Sequence, residues 1–196
     1  MAADAAPKRD RMTREEYLAL QRTVDEKLWL WDGEVFEPQA ASIDHERIVA
    51  NVVGLLRAQL LDGPCEPLPS AVRIRMPGKD RYVYPDAVIA CAPLQLEDDR
   101  KDTLLNPSVV FEVLSPSTEA FDRGAKAQGF RTIPSLRAYV VIAQDRKHVE
   151  ALTRAADGSW TLREARAGED VALSVPSGEL RLPVDEIYRR VELPPA

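Results

Sequence analysis

The run from 107 to 118, PSVVFEVLSPST, constrains the fold of this chain more than any other stretch. Its apolar residues up to Val113 predict a strand that is buried on both faces, because such strands are almost continuous apolar runs. Glu112 stands inside that run. A buried carboxylate is costly unless a cation, a hydrogen-bond donor or a metal ion compensates its charge. The sequence therefore predicts a compensating group beside Glu112 in the core of the fold.

Helix and strand patterns alternate along the rest of the chain, which predicts an α/β (α+β) fold with a mixed central sheet covered by helices. Capping signals open the helices, and Asp32-Gly33 is a strong signal for a two-residue hairpin turn. The predicted elements are a short helix over 13–22, a hairpin around 32–33, a long helix from 42 to about 60, strands over 71–76, 82–90 and 107–113, a helix over 117–131, a strand over 138–143, and further hairpins closed by a short helix near 184–191.

A second carboxylate, Asp86, follows Pro85 at the start of an apolar run and lies 26 positions before Glu112. That spacing leaves room for a loop between two adjacent strands. If the strands pair, both carboxylates converge on one point, where they repel each other unless a cation lies between them or one is protonated. Because magnesium and manganese prefer hard oxygen ligands, the pair is a candidate site for either ion.

Length and composition indicate one globular domain. The chain has 196 residues, of which 45% are hydrophobic and 30% charged, enough to bury a sizeable core. We expect residues 1–11 to form a flexible N-terminus and residues 12–192 to form the single domain. The opening lacks an apolar targeting segment, and no later run approaches a membrane span, so we expect a cytoplasmic protein. Neither a zinc site nor a disulfide is expected of Cys65 and Cys91, and Cys91 is interpreted as a buried free thiol.

The charge balance excludes one class of function. A formal net charge of -6 argues against indiscriminate coating of nucleic acid, which depends on lysine and arginine neutralising phosphates. It does not exclude an enzyme with a local basic groove, because the charge of the whole chain averages over faces that never meet the ligand.

Several linked phrases give the chain a resemblance to the Uma-two family. The phrases are YPDAVI at 84–89, VFEVLSPST at 110–118, DRGAK at 122–126, IPSL at 133–136 and YVV at 139–141. The family has the restriction-endonuclease-like PD-(D/E)XK fold, and the resemblance extends from about Met12 to the C-terminal hairpins. It implies that Asp86 and Glu112 ligate magnesium, with manganese as the alternative and the backbone carbonyl of Val113 as a third ligand.

Other residues follow from the same resemblance. The usual nuclease lysine stands two residues after the second carboxylate, where this chain has Leu114. The resemblance implies that Lys126, on the next helix, takes its place, since the chemistry needs the charge at the phosphate whatever its point of attachment. The alternative is a helix-surface pair with Asp122. His45 and Glu34 match polar residues of the family that support such a site. Alternatively, His45 is a surface residue at a helix N-terminus and Glu34 is a solvated turn residue. In that case neither takes part in the site.

The implied activity is that of a magnesium-dependent endonuclease that hydrolyses DNA phosphodiester bonds, with Asp86, Glu112 and Lys126 as catalytic residues. The alternative is a non-catalytic protein of the same fold that binds DNA or a protein partner. A homodimer is the expected assembly by analogy, because one small nuclease domain cuts one strand.

Overall fold

The computed structural model describes residues 11–38 and 41–194. The predicted flexible N-terminus, apart from Arg11, lies outside the described residues. The helices are α1 (Arg14–Gln21), α2 (Ile43–Gln59), α3 (Glu119–Phe121), α4 (Ala127–Arg131) and α5 (Val184–Ile187), and a π-helical turn (Asp122–Lys126) joins α3 to α4. The strands are β1 (Trp29–Trp31), β2 (Glu34–Phe36), β3 (Cys65–Pro69), β4 (Arg73–Met76), β5 (Arg81–Val83), β6 (Ala87–Cys91), β7 (Thr103–Leu104), β8 (Pro107–Val113), β9 (Ala138–Ile142), β10 (His148–Arg154), β11 (Trp160–Arg166), β12 (Asp170–Val175) and β13 (Gly178–Pro183).

The largest sheet has six strands in the order β11-β10-β9-β8-β6-β3. At its centre, β8 pairs in parallel with β9 and antiparallel with β6. All seven residues of β8 are buried, as its apolar run predicts. One face packs on α2, α5 and the β12–β13 hairpin, and the other on the α3–α4 segment and the second sheet. The strand that carries Glu112 is therefore enclosed on both faces of the sheet.

The second sheet has the order β2-β1-β5-β4-β7 and covers part of the same face as the α3–α4 segment. Asp32 (φ 51°) and Gly33 (φ 89°) both adopt positive φ between β1 and β2, the conformation that a two-residue hairpin turn requires. Gly129 of α4 lies so close to Met76 and Trp31 that a side chain there would collide with them. This contact sets how closely α4 approaches the second sheet.

The two capped helices begin where the sequence predicts. Thr13 and Glu16 form a complete capping box at α1. The Ser42 side chain accepts a hydrogen bond from the His45 backbone N–H at the start of α2. Because this cap fixes the first turn of α2, it also fixes the position of the His45 side chain.

The expectation of free thiols is wrong, because Cys65 and Cys91 form a disulfide. The two residues stand directly opposite each other where β3 pairs antiparallel with β6. The disulfide forms because the strand register brings the two residues together. A separation of 26 residues in the sequence does not reveal that register. The sequence pattern does not predict β3 either, since the two prolines of this strand weaken the pattern.

None of the helices in residues 11–38 and 41–194 is both long enough and apolar enough to cross a membrane.

Candidate active site

Asp86 and Glu112 come together because β6 and β8 pair antiparallel. Ala87 is the partner of Phe111, so the next register position places Asp86 across from Glu112. Residues opposite each other in an antiparallel pair project toward the same face of the sheet. The two carboxylates therefore occupy neighbouring positions at one end of the central strand.

The Asp86 carboxylate is held from two sides. Its Oδ2 atom accepts a hydrogen bond of 2.7 Å from the backbone N–H of Val113 and lies 3.3 Å from His45 Nε2. Although burial disfavours a charged imidazole, the hydrogen bond and charge of Asp86 raise the pKa of His45 above its ordinary value. The arrangement fixes one carboxylate oxygen and favours the charged form of His45.

Glu112 is compensated by Lys126. The Nζ atom of Lys126 lies 2.8 Å from Glu112 Oε1 and 3.0 Å from Asp122 Oδ1, and all three side chains are buried. The contact with Glu112 is an ion pair without the direction of a good hydrogen bond, so Glu112 Oε1 has no hydrogen-bond partner within the described residues. The lysine therefore balances two buried carboxylates, and Glu112 Oε1 is the atom that it contacts on the central strand.

The electrostatics of this trio follow from burial and charge. Burial raises the pKa of Glu112 well above its ordinary value, and the charge of Lys126 opposes the shift. Burial also disfavours the charged lysine, but Asp122 and Glu112 outweigh it and raise the pKa of Lys126. The two carboxylates therefore favour the charged form of Lys126.

The π-helical turn, from Asp122 to Lys126, presents both of its terminal side chains to the sheet. The Tyr139 hydroxyl donates to the Asp122 backbone carbonyl at 2.9 Å. The Trp29 ring covers the Lys126 ammonium, with Nζ 4.5 Å from the ring centre. Such π-helical turns are rare and occur frequently at functional sites.

Arg123 holds the outer side of the same turn. Its guanidinium donates to Glu150 Oε2 at 2.6 Å and to Glu119 Oε1 at 2.8 Å. Glu150 and Glu112 are both register partners of Val141 in β9, so they lie in one row across three strands. The turn is therefore tied to the sheet at two points of that row, through Lys126 at Glu112 and through Arg123 at Glu150.

Glu34 is the predicted site residue that the structure leaves apart. It lies at the turn end of the β1–β2 hairpin, opposite Trp31. Within residues 11–38 and 41–194, no hydrogen bond or ion pair joins it to the carboxylates or to Lys126. Its supporting role stays a prediction.

Three contributors to the site were missed by the sequence analysis or given another role. Asp122 was considered only as the surface partner of Lys126, yet the pair is buried. Trp29 was given no part in the site, and Tyr139 was assigned only to the strand that it belongs to. Only the DRGAK spacing hinted at the buried pair, because it sets the acid and the lysine four residues apart.

In the described part of the chain, no group of three or more histidine, cysteine, aspartate or glutamate side chains is arranged to hold a metal ion. Any ion here would depend on two carboxylates, a backbone carbonyl and water.

Comparison with known proteins agrees with the fold and the motifs. The Uma2 family, described as "Putative restriction endonuclease", matches residues 14–185. Two uncharacterized proteins of Synechocystis sp., slr1290 and sll1609, are each 32% identical to this chain. The first match covers 91% of this chain and 92% of the relative, and the second covers 78% and 86%.

A crystal structure from Anabaena variabilis, described as "a putative nuclease belonging to DUF820", has the same fold. Its TM-score is 0.71 at 14% identity, over 92% of this chain and 99% of that one. The predicted mixed sheet flanked by helices is thereby confirmed as a nuclease-like fold. The match over residues 14–185 shows that this chain belongs to the Uma2 family.

Proposed function

We propose that this protein is a metal-dependent endonuclease that hydrolyses phosphodiester bonds of DNA. The observation that carries the proposal is the pairing of Asp86 and Glu112 across β6 and β8, with a buried lysine 2.8 Å from Glu112. The description of the family and that of the Anabaena protein support the same activity. A homodimer, in which two domains cut the two strands, belongs to the same proposal.

The donor atoms fit a hard divalent cation. Asp86 and Glu112 offer carboxylate oxygens from opposite positions on adjacent strands, and among the described residues Glu112 Oε1 makes an ion pair with Lys126 but no hydrogen bond of good geometry. Magnesium needs only one or two carboxylates, because it keeps several of its waters. Asp86, Glu112 and the Val113 carbonyl would hold magnesium, or manganese in its place.

Each residue of the site would have a separate role in the proposed reaction. A bound ion would activate a water and stabilise the departing oxygen. Lys126 contributes a fixed positive charge where negative charge develops on the phosphate. The Val113 N–H and His45 hold Asp86 in one orientation, and Trp29 shields the Lys126 ammonium from water.

The second candidate is a non-catalytic nuclease-fold protein that binds DNA or a protein partner. One observation favours it: Lys126 already compensates Glu112, and only 1% of its side chain is exposed. The ammonium of a lysine in this position can stabilise a buried carboxylate in place of a metal ion. The response to metal separates the two candidates, because a binding protein needs no ion at Asp86 and Glu112.

The test compares the wild type with Asp86→Asn. Supercoiled and single-stranded DNA are incubated with each protein in magnesium and in manganese, and thermal melting is recorded with and without the metal. The wild type should cut DNA and melt at a higher temperature with metal. The variant should do neither while staying folded, because an asparagine oxygen still accepts the hydrogen bond from Val113.

Asp62→Asn is the matched control, since Asp62 is exposed and distant in sequence from the site. It should cut DNA and respond to metal like the wild type. A wild type that neither cuts DNA nor shifts its melting with metal would contradict the proposal and favour the binding protein. An Asp86→Asn variant that unfolds would show that Asp86 is structural.

A further inference from the structure

A cavity of about 620 Å³ is lined by a residue that lies close in the chain to Asp86. It opens between the C-terminal end of α1, the connection from β3 to β4, and the loop that precedes β7. Tyr84 lines it and stands only two residues before Asp86. Two residues of extended chain span at most about 7 Å, so the backbone of Tyr84 lies close to that of Asp86.

The lining of the cavity is strongly cationic. Arg22, Arg73, Arg100 and Lys101 line it, against one carboxylate, Asp102. This contrasts with the chain as a whole, whose formal net charge is -6. Arg100 and Lys101 are exposed, and within the described ranges neither has an ion-pair partner. Arg22 pairs with Asp98 and Asp102, and Arg73 pairs with Asp102. Arg100 and Lys101 are therefore the charges of the lining that, among the described residues, stay available to attract an anion.

Arg73 forms a rigid base for the cavity, with only 2% of the residue exposed. It donates to Thr103 Oγ1 at 2.8 Å and to Asp102 Oδ1 at 2.7 Å. Its Nη1 atom has only a long contact of 3.5 Å with the Tyr84 hydroxyl. Arginine has five N–H donors, so this side chain retains capacity for a further acceptor in the cavity.

Apolar side chains form the rest of the wall. Leu68, Val72, Leu94, Leu96 and Leu104 all line the cavity. Inorganic phosphate or another small anion would leave this wall without a partner. A ligand with both an apolar body and an anionic group satisfies both parts, and the volume is within the range of small-molecule sites.

We propose that this cavity binds one nucleotide of the DNA strand beside the scissile phosphate. The base lies on the leucine wall, and the phosphate lies at Arg100 and Lys101. The inference rests on the proposed nuclease function for its substrate class. A base within a duplex cannot enter such a cavity, so the enzyme should prefer DNA whose bases are unpaired near the cut.

The direct test measures binding and requires no cleavage. Thymidine 5′-monophosphate, thymidine and inorganic phosphate are titrated separately into the protein and followed by NMR chemical shifts. The nucleotide should bind at least about tenfold more tightly than either fragment, since each fragment lacks one of the two sets of contacts. Phosphate that binds as tightly as the nucleotide would overturn the proposal, as would a nucleotide that does not bind.

A blocking variant and a charge-removing double variant test whether the ligand binds in the cavity. Ala71 is exposed and lines it, so Ala71→Trp should obstruct it, and the exposed Ala156 in the β10–β11 turn supplies the matched control Ala156→Trp. Arg100→Gln combined with Lys101→Asn should weaken binding about tenfold, because hydrogen bonds to a charged group are lost. Asparagine suits residue 101, whose φ is 59°.

Arg163→Gln, an exposed change on β11, is the control for the loss of charge. Nucleotide binding that Ala71→Trp leaves unchanged would overturn the proposed location. Nucleotide binding that Ala71→Trp abolishes, in a protein that cuts no DNA, would contradict the nuclease function but support the nucleotide site. The two proposals can therefore fail separately.

Discussion

Lys126 Nζ lies 2.8 Å from Glu112 Oε1, inside the protein, at the end of a π-helical turn. The lysine is therefore attached to a helix but acts on a carboxylate of the central strand. The Lys126 ammonium also contacts Asp122, so one cation balances two buried acids. This relationship answers the problem that the sequence raises at Glu112, and it makes the lysine necessary for stability as well as for the proposed chemistry.

Replacing Lys126 by methionine should strongly destabilise the fold. Lys126→Met keeps much of the volume but leaves Glu112 and Asp122 buried without their cation. Breaking a buried ion pair by removing one partner costs about 3 to 5 kcal/mol. Urea unfolding at neutral pH should show a loss of unfolding free energy of that size.

The double variant Lys126→Met with Glu112→Gln is the control for this prediction. It removes the uncompensated charge on the strand, so it should recover part of the stability that Lys126→Met loses. Equal stability of the single and double variants would show that Glu112 is not the charge that the lysine compensates.

The fold could be predicted largely from local signals. The caps at Thr13 and Ser42, the Asp32-Gly33 turn and the apolar run of β8 each specify their own segment. The disulfide could not be predicted, because it depends on the register of two distant strands. Neither could the π-helical turn, since its pattern is compatible with an ordinary helix.

Part of the geometry of the candidate site was predictable from the sequence. The pairing of Asp86 with Glu112 follows from adjacent strands, and the structure places His45 at Asp86 and Lys126 at Glu112. The sequence left Asp122 as a surface alternative, because spacing alone does not show which side of a helix faces the sheet. Tertiary packing decides that question.

His45 should act through Asp86. His45→Leu removes the donor that lies 3.3 Å from Asp86 Oδ2, whereas His45→Gln can still donate to it. Losing a partner that orients a metal ligand typically weakens metal affinity at least about tenfold. The magnesium concentration for half-maximal stabilisation in thermal melting should therefore rise in the leucine variant and change little in the glutamine variant. Equal shifts would argue against an orienting role.

The Arg123–Glu150 pair should hold the π-helical turn in position. Glu150→Gln weakens a partly exposed ion pair of 2.6 Å, so the unfolding free energy should fall by only about 1 kcal/mol. DNA cleavage should fall more than this loss of stability explains, with KM unchanged, because Lys126 shifts relative to Glu112. Glu186→Gln, which weakens the surface pair with Arg189, is the control and should leave both quantities unchanged. Cleavage that Glu150→Gln leaves intact would contradict the positioning role.

Asp102 should make stability depend on pH in the acid range. Burial opposes its ionisation, but Arg22, Thr103 and Arg73 together hold its pKa below the ordinary value of 3.8. A lowered folded pKa gives stability that is present above the unfolded pKa and is lost as the pH falls through the folded one. The unfolding free energies of wild type and Asp102→Asn should therefore differ most near about pH 6 and converge near about pH 2. A difference that stays constant over this range would show that the charge of Asp102 contributes nothing.

The disulfide should stabilise the protein by restricting the unfolded chain. Cys65 and Cys91 are 26 residues apart, and closing a loop of that length contributes about 3.5 kcal/mol in the chain-entropy description. Urea unfolding of the double variant Cys65→Ser with Cys91→Ser should show a loss of this size, and reduced wild type should lose a similar amount. The β3–β6 pairing remains available without the bond, so both proteins should still fold. Wild-type protein whose stability is unchanged by reductant, and whose two thiols react with a thiol reagent before reduction, would contradict the disulfide itself.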